Sequence, residues 1–166
     1  INSDLANNFG NLCQRVTAFT IKNCEGKIPK NIKFENDDIE ILDKFKNNLD
    51  KIRDKIDSQD LNFYIDFIIN SLFEANKYFN DQEPWKKKND LVRLNTIVFT
   101  TLEIVRKISF MLYPIIPESS LKALKIFDLL EKDIDFSSIK SNEFLTKGKK
   151  INKIDILFRK IEKLND

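Results

Sequence analysis

Histidine is absent from this chain. That removes the Ser–His and Cys–His arrangements that activate a nucleophile. Cysteine is nearly absent too, and Cys13 and Cys24 without histidine cannot furnish the four ligands of an ordinary structural zinc site. Along one predicted helix the two thiols stand roughly 16 Å apart, too far for a disulfide, so reduced thiols in the reducing cytoplasm are expected. Three glycines cannot build a phosphate-cradling loop. No apolar run reaches the roughly 20 residues of a membrane span, and no signal peptide is present. A surplus of one charge is also missing: 28 Lys and Arg stand against 26 Asp and Glu. No basic tail coats a nucleic acid by charge alone, so any RNA binding must be local and shaped. Carboxylates abound, yet no pair stands out for acid–base work. No catalytic residue, metal or cofactor is expected within these residues, and neither a membrane nor DNA is an expected partner.

What remains is a helix former. The chain has 166 residues, 42% of them hydrophobic, enough for one domain with a core. Few breakers and many Leu, Ile, Lys and Glu residues favour helices. The abundance of Lys, Ile and Asn reads as the codon bias of an AT-rich genome. The chain starts at Ile1 within a helical pattern and reads as a fragment of something longer.

Leu5, Phe9, Leu12, Val16 and Phe19 alternate spacings of four and three, an amphipathic helix. Asp4 suits its positive end and Gly26 its stop. Residues 27–37 read as a loop. Asp37 or Asp38 caps a second helix carrying Leu42, Phe45, Leu49, Ile52 and Ile56. Asp60 caps a third, running to about Phe79 and apolar on most sides, which predicts a central position. Pro84 opens a long fourth helix with Leu91, Leu94, Val98, Leu102, Val105 and Leu112 as its stripe, ended by Pro114. Pro117 opens a fifth with Leu121, Leu124 and Phe127. Beyond Asp133 the pattern weakens, with a turn near Gly148 and a short amphipathic tail, Ile154 to Leu164. The expectation is an all-α, antiparallel five-helix bundle over residues 1–133, with residues 134–166 a C-terminal extension packing on the bundle or on a domain outside this chain.

Three segments could carry chemistry. Asn11 and Arg15 are four apart and stack on one helix face, with Asp4 and Asn8 continuing the stripe. Paired amide groups and a planar guanidinium suit the edge of an unstacked base; on the residues alone, a polar surface with Arg paired to a carboxylate is the simpler account. Trp85, the sole tryptophan, follows Pro84 and precedes Lys86, Lys87 and Lys88. An indole beside cations is a stacking platform with phosphate charge, and a helix start adds amide donors; a Trp packed at the bundle's end competes with that reading. The basic stretch Lys147 to Lys153 is more simply a solvated turn than an RNA contact.

In this order the segments resemble a known family. Asn7-Asn8-Phe9-Gly10-Asn11-Leu12-Cys13-Gln14-Arg15-Val16 is similar to the "N-x-L-G-N-L-x-x-R-V" start of the anticodon-binding domain of methionyl-tRNA synthetases. Ala75-Asn76-Lys77-Tyr78, followed by Pro84-Trp85, resembles its "A-N-x-Y-x-x-x-x-x-P-W" segment. Leu112-Tyr113-Pro114-Ile115-Ile116-Pro117 resembles the "L-x-P-x-x-P" elbow, and Ile156-Leu157-Phe158-Arg159 the closing "P-L-F-P-R-I", with Arg159 where the family often has proline. The resemblance implies the anticodon-reading piece of a ligase that attaches methionine to its tRNA with ATP and magnesium. Its Rossmann catalytic domain would lie N-terminal to these residues, because neither "H-I-G-H" nor "K-M-S-K-S" occurs here. It implies that Trp85 stacks on the first anticodon base, a cytosine, and that Asn11 and Arg15 contact anticodon bases. Asn8, Pro84, Lys86, Lys87, Lys88 and Arg93 are the expected supporting or phosphate-contacting residues. A sibling class I synthetase bundle and a helical protein-interaction module are the other readings.

Overall fold

The computed structural model describes residues 5–154 and 156–158; Asp4, Arg159 and most of the expected tail helix lie outside the described residues. A π-helical turn, Leu5–Gly10, feeds directly into α1, Asn11–Asn23. The stop is where the sequence put it. Gly26, at a φ of 65°, returns its N–H to the Thr20 carbonyl at 3.2 Å, a left-handed turn that glycine makes without Cβ strain. Then come α2 (Asn36–Asp57), α3 (Leu61–Gln82), α4 (Leu91–Leu112) and α5 (Pro117–Leu124). The described residues thus hold five α-helices and no strand; a single antiparallel bridge joins Lys27 to Lys150.

Local chemistry explains the helix starts. Asp38 caps α2, its side chain accepting the Glu35 N–H at 2.8 Å, while the Asp38 N–H goes to the Glu35 backbone carbonyl at 3.1 Å. Asp60 accepts from the Phe63 amide at 3.3 Å and Asp90 from the Arg93 amide at 3.0 Å. The last of these corrects the expectation that Pro84 opens the long helix. Glu83 turns left-handed, at a φ of 45°, and closes α3; Pro84–Lys86 then makes one 3-10 turn. The chain restarts only at Asp90. Three consecutive lysines oppose the positive end of a helix, whereas an Asp directly before an apolar run caps it.

The central helix is α4, not α3. From Arg93 to Leu112 every α4 residue but Asn95 is buried, whereas Leu61 and Phe73 of α3 are exposed. The sequence disguised α4 with polar residues, several of which are satisfied internally. Thr96, Thr101 and Ser109 return their hydroxyls to carbonyls one turn back, at 2.6–2.8 Å.

Its charged residues bind the C-terminal stretch. Glu103 accepts from the Leu145 amide at 2.7 Å and from Arg106 Nε at 2.8 Å. Arg106 also donates to the Ser141 carbonyl at 3.0 Å. Lys107 Nζ donates to the Ile139 carbonyl at 2.8 Å and to Asn142 Oδ1 at 2.7 Å. All three side chains are fully buried, and buried charge persists only when paired and hydrogen-bonded. Burial, with the adjacent Arg106 charge, pushes the Lys107 ammonium down to about 7. Ile139, Leu145 and Ile151 join the same core as the helices.

Candidate nucleic-acid interface

Two of the expected site residues, Arg15 and Trp85, meet around a third residue that no reading of the sequence singled out. Phe79, in the last turn of α3, is 2% exposed. The Arg15 guanidinium carbon lies 5.3 Å from its ring centroid. The Trp85 ring stands edge-on at 6.1 Å and 68°, and the Phe19 ring edge-on at 5.9 Å and 87°. Arg15 of α1 and Trp85 of the 3-10 turn therefore contact one phenyl group and share one surface. Arg15 also donates to Asn80 Oδ1 at 2.6 Å. Trp85 keeps 40% of its surface exposed, so its indole is anchored on one side and open on the other. Pro84, which precedes it in the turn, is buried.

Asn11 is exposed one turn before Arg15 on the same face. Asn8 is half-buried on the π turn, and its carbonyl accepts from Asn76 Nδ2 at 3.1 Å. A π turn is wider than an α turn, so the straight stripe expected through Asn8, Asn11 and Arg15 bends at Gly10. Lys86 pairs with Glu83 at 2.7 Å on the surface, a contact of small energy. Lys87 is half-buried and Lys88 exposed. The helix-start amides expected behind Trp85 are not there, since α4 begins at Leu91 under the Asp90 cap.

Arg93 is a correction. Its guanidinium donates to both Asp38 oxygens, at 2.6 and 3.1 Å, and to Gln82 Oε1 at 2.6 Å. The Tyr78 hydroxyl donates to the same carboxylate. Burial works against the Arg93 charge, but the hydrogen bonds and charge of Asp38 outweigh it and hold the guanidinium above its ordinary range. Burial likewise pushes the Tyr78 phenol up, with Asp38 adding to the effect. Arg93 is thus a buried post joining α2, α3 and α4, its guanidinium taken up by Asp38 and Gln82. Asp38 exceeds its expected part, since it caps α2 and carries this ion pair. The basic stretch near Gly148 is likewise tied down: Lys147 pairs with Glu143 at 2.5 Å and Lys149 donates to the Phe127 carbonyl at 3.0 Å.

α3 separates two unlike flanks. On the α1 side stand Phe79, Asn76 and Asn80 with their partners. Facing α2, an open cleft of about 740 Å³ is lined by Asp37, Glu40, Asp43, Glu74 and Asp81, with Lys44 and Lys77 among them. Lys44 pairs with Glu74 at 2.6 Å and Lys77 with Asp81 at 2.5 Å. Both thiols are free; burial pushes Cys24 up to about 11 and raises Cys13 further. No described helix is long and apolar enough to cross a membrane. Phe79 and Asn80 escaped the sequence reading because Phe79 continues the apolar rhythm of α3, and nothing in that rhythm distinguishes a core ring from one that carries a neighbour.

Comparison with known proteins bears on what this surface meets. A family model described as the anticodon binding domain of methionyl tRNA ligase matches residues 28–165. A methionine–tRNA ligase of Brucella suis biovar 1 (strain 1330) is 41% identical over 126 residues, which span 75% of this chain and 24% of that protein. One from Mycobacterium leprae (strain TN) is 37% identical over 140 residues, 81% of this chain and 26% of that protein. The chain spans about a quarter of the length of these curated relatives. Among solved structures, the apo form of Mycobacterium tuberculosis methionyl-tRNA synthetase superposes with a TM-score of 0.88 at 29% identity, covering 97% of this chain and 33% of that one. The same enzyme bound by methionyl-adenylate gives 0.87 at 30% identity, covering 96% and 32%.

Proposed function

Because this chain belongs to the family of anticodon-binding domains of methionyl tRNA ligase, we propose that it grips the anticodon stem-loop of methionine tRNA through the surface shared by α1 and the Pro84–Lys86 turn. The observation that carries this is the half-exposed Trp85 indole seated on the ring that also holds Arg15. An anchored indole with one open side is a stacking platform for an unpaired base, here the cytosine that opens the anticodon. Arg15 and Asn11 offer donors and an amide edge to the splayed bases beside it. Lys87 and Lys88 supply backbone attraction that weakens with salt, Lys86 shares its charge with Glu83, and Asn8 and Pro84 shape the entry. The chemistry, attachment of methionine to tRNA with ATP and magnesium, belongs to a catalytic domain preceding these residues in a cytoplasmic enzyme.

The test is a titration of Trp85→Ala with an RNA hairpin carrying the methionine anticodon, and with the same hairpin after its first anticodon base is changed from cytosine to uracil. Loss of stacking weakens the cognate complex by about 1–3 kcal/mol and narrows the gap between the two hairpins. Equal affinity and equal discrimination in variant and parent reject the reading.

A further inference from the structure

We infer that Phe79 is a positioning residue for anticodon recognition: a buried ring, out of reach of RNA, that sets both reading side chains at once. The inference rests on the reading of the Trp85 surface given above. Phe79 exposes 2% of its surface and so cannot serve as a platform itself. Three side chains are arranged on it: Arg15 from one helix, Trp85 from a turn 70 positions on, and Phe19. The negative face of a phenyl ring attracts a guanidinium, and an edge-on neighbour is fixed in angle by the same quadrupole. Arg15 is long and flexible, and its only hydrogen bond among the described residues is the surface bond to Asn80. Trp85 stands in a three-residue turn between α3 and α4 rather than within either helix. Among the described residues Phe79 is the ring that both side chains touch, so it couples their mutual geometry. A ligand that must stack on one and bond to the other then meets a preset pair, with less ordering left to do on binding.

The chain's single tryptophan makes this readable without RNA. Phe79→Leu keeps an apolar side chain and removes the ring. In that variant Trp85 emission shifts to longer wavelength and its local anisotropy decays faster. Its Kd for the cognate hairpin rises by about 3–10-fold, discrimination at the first anticodon base narrows, and the salt slope is unchanged. Phe79→Tyr, which keeps the ring, restores the emission and the discrimination. A ring that merely fills the core would lower the melting temperature and leave the indole signal and base discrimination of the folded chain as they were. That result, with Trp85→Ala still damaging recognition, overturns the positioning role and leaves the Trp85 reading intact. Silence of Trp85→Ala overturns both. If no Phe79 variant folds, the parent chain decides. An indole in free local rotation there is incompatible with an anchored pair, and slow rotation together with loss of recognition in Trp85→Ala supports it.

Discussion

Asp38 and Arg93 are 55 positions apart, and both look like ordinary surface charges in the sequence. Nothing local reveals that they meet in the interior, because helical spacing specifies neighbours three or four residues away and no others. Removing one partner leaves the other buried and uncompensated. Arg93→Gln therefore costs about 3–5 kcal/mol in urea unfolding, while the slope of log affinity against log salt for RNA stays at the parent value. Lys88→Ala does the reverse: stability holds, and the slope falls in magnitude by about 1. An Arg93→Gln chain with parental stability and a shallower slope would restore Arg93 to the phosphate-contacting set. Lys107 makes a second residue-scale prediction. Its folded value of about 7 lies below the ordinary 10.5, so between these the unfolded chain binds more protons and stability rises with pH. Cys13 and Cys24 act oppositely. Their folded values are raised above 9.0, so stability they share in below pH 9 is lost as pH rises beyond it. The urea midpoint should climb from pH 7 to 9 and then turn down, and Lys107→Met should flatten the climb.

At the scale of elements, the sequence was most legible where apolar rhythm and a capping residue agree. Asp60 and the α3 rhythm coincide, as do Gly26 and the end of α1, Pro117 and the start of α5. It misled where two start signals compete. Pro84 and Asp90 both precede the long apolar stripe; the proline is the louder signal, but the lysines behind it favour the later start. Asp90→Ala should lower stability by about 1 kcal/mol, read in thermal unfolding, whereas Pro84→Ala should leave the helix content of α4 intact and loosen only the Trp85 turn. A larger loss of helicity for Pro84→Ala would return the helix start to the proline. The π turn at Leu5–Gly10 had no signal at all. Its apolar residues, Leu5 and Phe9, keep a spacing of four that fits either helix type.

For the molecule as a whole, the all-α bundle was readable from composition and period; the sequence left open whether residues 134–166 pack on the bundle or on a domain outside this chain, and Ile139, Leu145 and Ile151 of the described part lie in the bundle's core. The apolar periodicity of this stretch is weak because backbone groups and buried charges secure it: Glu103, Arg106 and Lys107 of α4 take the Leu145 amide and the carbonyls of Ser141 and Ile139. A chain ended after Asp133 would strand three buried charges, so it should lose cooperative unfolding and the sharp melting of the full chain. Retention of both would mark residues 1–133 as an independent unit. The division along α3 has a different kind of consequence. A net charge of +2 suggests a nearly neutral body, but carboxylates are gathered in the cleft between α2 and α3 while the opposite flank presents Arg15 and an open indole. Separated charge of this sort exerts a torque on an approaching polyanion even where the net attraction is slight. The molecule is a weak magnet with a definite north. On the proposed RNA reading, the acidic cleft is the face that repels an approaching loop and the Arg15 flank the face that receives it.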